Sequence, residues 1–391
     1  DIFDYVLRDL TDEGGGFYAG EDADSEGREG TFHVWTRAQI ENLLPSNQAR
    51  LFCERFGVTE QGNYENGTNV LHVTSAEGES KGTSREIERE LSAARQTLLE
   101  QRNSRLRPHR DDKIITGWNG LMISALAYGG AVLNETKYVE AAEKAASFVL
   151  DMLRVDGRLM RYFRADRAVE KGFLDDHAYL LGGLIDLYQA TFGVRWLREA
   201  AELADRMIEL FGDRDSGGFF LAGHDVERLI VREKPTYDGA VPSGNSVATM
   251  GLIRLARITG NEWYAWQAQR VLEAFSGAVV ESPSAFTAML TALGFSIGPS
   301  QEIVIAASQS PAEAGTLIEE VRRHFLPHAV LLVHPFGPEA QAIEEIVPFA
   351  SRLGPVEGHA AAYVCRQHAC RRPVTNSDDL REILRSNSGN Y

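Results

Sequence analysis

Between Gly117 and Phe295 the chain alternates two kinds of helix, and this alternation constrains the fold more than anything else in it. Asn119–Leu133 (NGLMISALAYGGAVL), Asp176–Phe192 (DHAYLLGGLIDLYQATF) and Asn245–Thr259 (NSVATMGLIRLARIT) are apolar or small on nearly every face. Each is followed by an amphipathic partner: Tyr138–Leu153, Arg195–Phe211 and Glu262–Val279. In the first partner Tyr138, Ala141, Ala142, Ala145, Phe148, Val149 and Met152 form one stripe, with Glu140, Glu143, Lys144 and Asp151 off it. A helix that is apolar all round is buried, and one with a single stripe covers it. Alternation of the two predicts concentric layers, an α/α toroid of hairpins. Gly129, Gly130, Gly182 and Gly183 each cost about 1 kcal/mol of helix propensity, so they are expected where buried helices approach closely.

A second regularity is a repeat. A D-x-G turn, a β-hairpin and a buried helix recur in that order. Asp215-Ser-Gly-Gly-Phe-Phe-Leu and Glu227–Arg232 precede the helix after Ser243. Asp156-Gly-Arg-Leu-Met-Arg-Tyr precedes the helix after Asp176. Asp12-Glu-Gly-Gly-Gly-Phe-Tyr with Thr31–Trp35 opens the chain. The hairpins are expected at one mouth of the toroid. Ser84–Arg105 reads as a charged peripheral helix, and Gly62–Gly67 as a turn before a short strand, Val70–Val73. After Gly298 the pattern changes to continuous apolar strands at Glu302–Ala307, Ala329–Val333 and Ala360–Cys365, alternating with helices at Pro311–Phe325 and Asp378–Arg385. That predicts a small, mainly parallel α/β unit. The expected division is 1–297, a toroid, and 298–391, the α/β unit.

Composition bounds the function. The 391 residues carry a formal charge of −16, which argues against nucleic acid, whose phosphates need clustered Lys and Arg. No apolar run reaches the length of a membrane span. Three cysteines, Cys53, Cys365 and Cys370, make no disulfide framework and suggest a reducing, cytoplasmic setting. The opening DIFDYVLRDL starts within a helical pattern and has no initiator Met, so the chain is expected to be part of a longer protein.

Five polar clusters are candidates for chemistry. Asp22-Ala-Asp24-Ser-Glu26-Gly27 begins like a calcium loop, but the twelfth position, which needs a bidentate carboxylate, is His33, and the flanks read as strands. It is either a hydrated turn or part of a sugar or catalytic site. Asp175-Asp176-His177-Ala-Tyr179 starts a buried helix. One aspartate serves as its N-cap, and the second, with His177 and Tyr179, then faces the interior, where acid and imidazole together suit proton transfer. Asp112 and Trp118-Asn119 precede another buried helix. Asn119 or Thr116 can cap it, and Trp118 is either a core residue or a platform for a sugar ring. Pro242-Ser243-Gly244-Asn245 leads into a third, with Ser243 outside any nucleophile-elbow pattern. His359, Cys365, His368 and Cys370 are too closely spaced for a usual zinc site, and buried thiols are expected there. Neither a metal nor an organic cofactor is expected.

The stretches GGFYAGEDADSEGREGTFHVW, GNYENGTNVLHV, RPHRDDKIITGWNGLMISALA, FLDDHAYLLGGLIDLYQATF, VPSGNSVA and AAYVCRQHACRRPVT resemble the thioredoxin-domain-containing family related to spermatogenesis-associated protein 20. The resemblance covers essentially the whole chain. It implies a six-hairpin glycosidase-like (α/α)6 toroid, similar to N-acylglucosamine 2-epimerases, and incomplete here. It also implies a thioredoxin-like domain ahead of the toroid in the full-length protein. The family's chemistry is poorly defined, so it transfers no catalytic residue.

The function expected from these readings is a sugar epimerase or isomerase, or a glycosidase-like hydrolase, with a small-molecule ligand. Asp176, His177 and Asp112 are its catalytic candidates. Asp22, Asp24, Glu26, Trp118, Asn119, Tyr179 and Asn245 are its binding candidates. His177 is the candidate base of an epimerase. Asp176 with one acid of the Asp22–Glu26 cluster is the candidate pair of a hydrolase. The alternative is a non-catalytic module that binds a ligand or client for the thioredoxin-like domain.

Overall fold

The computed structural model describes residues 1–74, 85–227, 230–366 and 369–388. They form two compact units, Gly20–Asp112 and the remainder. This partition falls elsewhere than the expected boundary near residue 297. The chain opens with helix α1 (Ile2–Asp9) of the larger unit.

In the smaller unit, β1 (Gly20–Glu21) pairs with β4 (Arg110–Asp111). The acidic stretch folds as a tight hairpin, β2 (Asp24–Ser25) against β3 (Arg28–Glu29), turned by Glu26 and Gly27 at φ 53° and 74°. Helices α2 (Arg37–Leu43), α3 (Ser46–Arg55) and α4 (Arg85–Asn103) enclose a core of Trp35, Ile40, Phe52, Leu91 and Leu98. The sequence reading placed strands at Thr31–Trp35 and Val70–Val73. The structure has turns and a single bridge between Trp35 and Asn69. For the first segment the reason is Arg105. Its Nη1 donates to the carbonyl oxygens of Thr31, Phe32 and Val34, and its guanidinium lies 4.0 Å over the Trp35 ring. Carbonyls satisfied by one side chain need no partner strand.

The larger unit is mainly helical, with small sheets. After the two-residue β5 (Ile114–Ile115), inner helices α5 (Thr116–Leu133), α7 (Leu174–Thr191) and α9 (Gly244–Thr259) pack side by side. They alternate in sequence with outer helices α6 (Thr136–Met152), α8 (Val194–Phe211) and α10 (Glu262–Glu281). A further inner helix, α11 (Thr287–Ile297), packs on α9. The hairpins share one device. Inner helices α5, α7 and α9 each end on a left-handed residue, Asn134 (φ 55°), Phe192 (φ 58°) or Gly260 (φ 73°), which turns the chain into its outer partner. The result is an inner and an outer row of helices, part of an α/α toroid.

Small β elements lie before the inner helices. β6 (Arg154–Val155) and β8 (Arg167–Lys171) flank β7 (Arg158–Arg164), and Ala165 and Asp166 form the β7–β8 turn at positive φ. The corresponding hairpin before α9 is not built as strands among the described residues. Leu221 N–H donates to Glu233 O there, and Arg228 and Leu229 lie outside the described residues.

Beyond α11, β9 (Gln301–Ala306), α12 (Pro311–Arg322), β10 (Ala329–His334), α13 (Glu339–Glu344), β11 (Ala361–Arg366), β12 (Ala369–Cys370) and α14 (Ser377–Ser388) complete the chain. The sheet order is β10-β9-β11-β12, and only β9 and β10 run parallel, so the sheet is mixed rather than mainly parallel. Val304, Val330 and Leu332 join the core of the helices. Ile303, Ile305 and Leu331 join a second core with α12 and α14. A sheet sharing one face with the helical core explains why no compact unit begins at 298. The strand register sets Cys365 opposite Cys370, and the two form a disulfide instead of the expected buried thiols. Cys53 is free and buried. His368 lies outside the described residues. Among the described residues no helix is long and apolar enough to cross a membrane.

The glycine expectation holds in detail at some positions and not at others. A Cβ on Gly183 would lie 2.5 Å from Gly120 O, and one on Gly120 would lie 2.5 Å from Leu180 N, so α5 and α7 cross there in near backbone contact. Gly130 abuts Val139, and Gly129 abuts the ring of Phe3. Gly182 has only Val247 Cγ1, at 3.9 Å. Gly120→Ala should therefore destabilise the protein by about 1–3 kcal/mol through overpacking. Gly182→Ala should stabilise it by about 0.5–1 kcal/mol through helix propensity. Urea unfolding of both variants checks this, and shifts of the same sign would contradict the packing described.

Candidate functional site

The first turns of α5, α7, α9 and α11 lie at one mouth of the helical unit, linked by three aspartates. Asp176 Oδ1 accepts from Gly117 N–H at 3.0 Å, and its Oδ2 accepts from Phe173 N–H at 2.8 Å, joining α5 to α7. Asp175 accepts from Gly244 N–H, joining α7 to α9. Asp238 Oδ1 accepts from Ser243 N–H at 2.8 Å, and its Oδ2 accepts from Ala288 and Met289 N–H at 2.9 and 3.2 Å, joining α9 to α11. Helix N-termini present unpaired N–H groups and a positive dipole end. Packing four of them together without anions would bury unsatisfied donors beside like partial charges. The Tyr179 hydroxyl adds a 2.5 Å hydrogen bond to Pro242 O.

Burial chiefly determines the protonation of this row. It raises Asp176 to about 6, against the backbone N–H of Phe173 and the Arg161 guanidinium, whose Nη1 is 3.5 Å away. It raises Asp175 as well, opposed by Arg161 and by Gly244 N–H. Tyr179 is pushed up by burial and by Asp175, Asp176 and Asp238. Asp176 is enclosed, whereas Asp175 is half-buried. Trp118, in the first turn of α5, is 50% exposed, and Tyr237, ahead of α9, is 70% exposed.

Of the two adjacent aspartates, Asp176 is the cap, with both oxygens engaged by backbone. Asp175 is the one left partly open, and it was not among the catalytic or binding candidates read from the sequence. His177 is corrected more strongly. Its Nδ1 lies 2.8 Å from Phe173 O and its Nε2 3.1 Å from Arg158 Nη1. Arginine only donates, so Nε2 is the acceptor and Nδ1 carries the proton. Burial first, and Arg158 in addition, lower its pKa to about 3. The lone pair a general base needs is occupied. The ring packs on Phe211 at 4.8 Å and borders a separate cavity of about 570 Å³ with Arg154, Glu199 and Glu202.

Asn119 and Asn245 are also structural. Asn119 accepts from Phe17 N–H at 2.7 Å and donates to Phe17 O and Ile115 O. Asn245 accepts from Phe219 N–H at 2.8 Å and donates to Phe219 O and Pro235 O. Both grip the phenylalanine of a D-x-G-G-F-type loop, so the repeat is one of function as well as order. In the middle copy His177 stands at the corresponding helix position. Arg158 bridges it to Leu159 O, donating at 3.0 Å.

Asp22, Asp24, Glu26 and Asp112 belong to the smaller unit and are exposed. Asp22 Oδ2 is 3.8 Å from His109 Nδ1. Among the described residues no group of three or more His, Cys, Asp or Glu side chains is placed to hold a metal ion. Sequence reasoning missed Asp238, Arg158 and Arg161. The signal for Asp238 was its place five residues before a capped helix start. Arg158 lay inside the repeat motif itself.

No family model matches the chain. Spermatogenesis-associated protein 20 of Homo sapiens is 33% identical over 98% of this chain and 54% of its own length. An uncharacterised protein of Caenorhabditis elegans is 29% identical over 98% of this chain and 56% of its own length. The chain thus spans about half the length of these curated relatives. The likeness supports the family relation suggested by the motifs. Among solved structures, a glycoside hydrolase family 76 α-mannanase of Bacteroides thetaiotaomicron aligns with a TM-score of 0.38 at 16% identity, covering 49% of this chain and 56% of that one. A D-mannose isomerase aligns with a TM-score of 0.37 at 12% identity, covering 70% and 66%.

The protonation states give opposing pH effects. Asp176 is raised from 3.8 to about 6, so ionising it in the folded state costs stability, which falls as pH rises across that window. His177 is lowered from 6.5 to about 3, so its contribution is complete above 6.5 and is lost as pH falls toward 3. The slopes oppose each other between about pH 4 and 6. Asp176→Asn should leave a stability that rises with pH across that range, and His177→Asn one that falls. Urea midpoints measured at several pH values decide, and slopes of the same sign in both variants would refute the assignment.

Proposed function

We propose that the mouth formed by the inner-helix N-termini binds a sugar and that Asp175 is its proton carrier, in an epimerase, isomerase or glycosidase-like reaction. The observation that supports this is the contrast within the aspartate row. Asp176 and Asp238 accept backbone N–H groups on both oxygens, whereas half-buried Asp175 is known to accept one. A carboxyl group raised by burial holds its proton closer to neutral pH, as general acid catalysis requires. Arg161 nearby can stabilise the ionised form after transfer. Trp118 offers an exposed indole on which the C–H face of a sugar can stack. Asp22, Asp24, Glu26 and Asp112 have no role in this reading, and His177, Asn119 and Asn245 act by holding the loops.

A second reading is a non-catalytic ligand- or client-binding module working with a thioredoxin-like domain of the longer protein. It is favoured by how many polar groups of the mouth are engaged by the chain's own backbone.

A screen for mutarotation, epimerisation and glycoside cleavage separates the two. On the enzyme reading, Asp175→Asn lowers kcat by about 100-fold or more with the fold retained, while Trp118→Ala mainly raises KM. Saturable quenching of tryptophan fluorescence by a sugar, without turnover, supports the module. Full activity in Asp175→Asn excludes Asp175 as the proton carrier.

A further inference from the structure

A separate cavity of about 350 Å³ lies among the C-terminal halves of the inner helices, where they meet β10 and the end of α12. Its walls are mainly apolar, including Ala127, Met250, Phe295, Phe325 and Val330. Three successive inner helices each contribute one polar side chain to this region. Ser124 of α5 donates to Asp186 Oδ2 of α7, and Arg254 Nη2 of α9 donates to Asp186 Oδ1 at 2.5 Å. The ion pair is mostly buried, with 16% and 17% of the two side chains exposed. Arg322 of α12 also lines the cavity, and its Nη2 donates to Gln189 O and Ala190 O.

The charges do not balance. Asp186 is the one acidic residue among the described residues lining the cavity, and its two oxygens already accept from Ser124 and Arg254. Arg254 is paired with that carboxylate, while Arg322 lines the same cavity with backbone carbonyls as its hydrogen-bond partners and the charge of Glu319 nearby. Each guanidinium has five N–H donors, of which one on Arg254 and one nitrogen's set on Arg322 are engaged. His324, also in the wall, lies 3.1 Å from Glu320. An apolar chamber with surplus arginine donors suits a molecule with an apolar body and an anionic head. Arginine is the side chain best matched to a planar carboxylate. The volume is at the small end of ligand cavities, about 300–1,000 Å³.

We propose that this cavity is a binding site for a small organic carboxylate with an apolar body, its head held by Arg254 and Arg322. The site is distinct from the helix N-terminal mouth and does not depend on the reading given to that mouth.

Calorimetric titration of the whole chain with octanoate, octanol and octylamine tests it. Saturable one-to-one binding of octanoate, about tenfold or more tighter than octanol and with octylamine weaker still, is expected. Met250→Trp and Ala131→Trp, plugs placed on different helices, should each abolish binding while the circular dichroism spectrum is retained. Hydrogen exchange should show octanoate protecting residues 250–254 and 321–331, a readout that needs no variant. Equal affinity for octanol would overturn the charge assignment. Binding that survives in a folded plug variant, protection elsewhere, or no octanoate binding would overturn the site.

Discussion

The larger unit depends on anions placed between the N-termini of neighbouring inner helices. Four helices begin at one mouth, and each brings unpaired N–H groups and the positive end of its dipole. Asp176, Asp175 and Asp238 each span one junction, from α5 to α7, α7 to α9 and α9 to α11. Each thereby caps a helix and fixes its distance from the next. The same junctions create the chemistry of the mouth, because a carboxylate enclosed to serve two helices loses hydration and holds its proton more tightly. Where enclosure is complete, as at Asp176, the group is structural. Where it is partial, as at Asp175, it can exchange a proton with something outside.

One physical task at this mouth is met by different residue types. The loop before each inner helix must be held by its backbone. Asn119 and Asn245 do this with a single amide, which accepts from the N–H and donates to the C=O of one phenylalanine. In the middle copy an imidazole and a guanidinium share the work. A histidine beside two aspartates reads in sequence as proton-transfer chemistry. In the folded chain both its nitrogens are engaged, and burial keeps it neutral.

Hairpin periodicity was legible because it depends on local spacing. The inner helices, the outer stripes and the five terminal helix and strand segments appear close to where the pattern puts them. Strands at Thr31–Trp35 and Val70–Val73 were not, because side chains take their backbone groups: Arg105, about 70 residues away, serves the carbonyls of Thr31, Phe32 and Val34, and Asn63 serves the N–H and C=O of Val70. The mixed sheet and the Cys365–Cys370 pairing depend on strand direction and register, which the apolar runs do not encode. Within the aspartate row, the sequence could not divide the labour of the two neighbouring carboxylates. Asp175 and Asp176 have the same local surroundings and differ only in what packs above them.

The sequence by itself determined that this chain builds layered helical hairpins, since burial all round and burial on one stripe are written in residue periodicity. It also determined that the polar side chains gather where the inner helices begin. Tertiary structure alone decided which of those side chains are engaged and which are open. It placed Gly120 against Gly183, turned His177 toward Arg158, and left Asp175 partly exposed. It also shaped the Asp186–Arg254 cavity at the other end of the same helices, from residues that carry no motif. The physical reason is that hydrogen-bond satisfaction and desolvation depend on neighbours distant in sequence, whereas amphipathic periodicity does not.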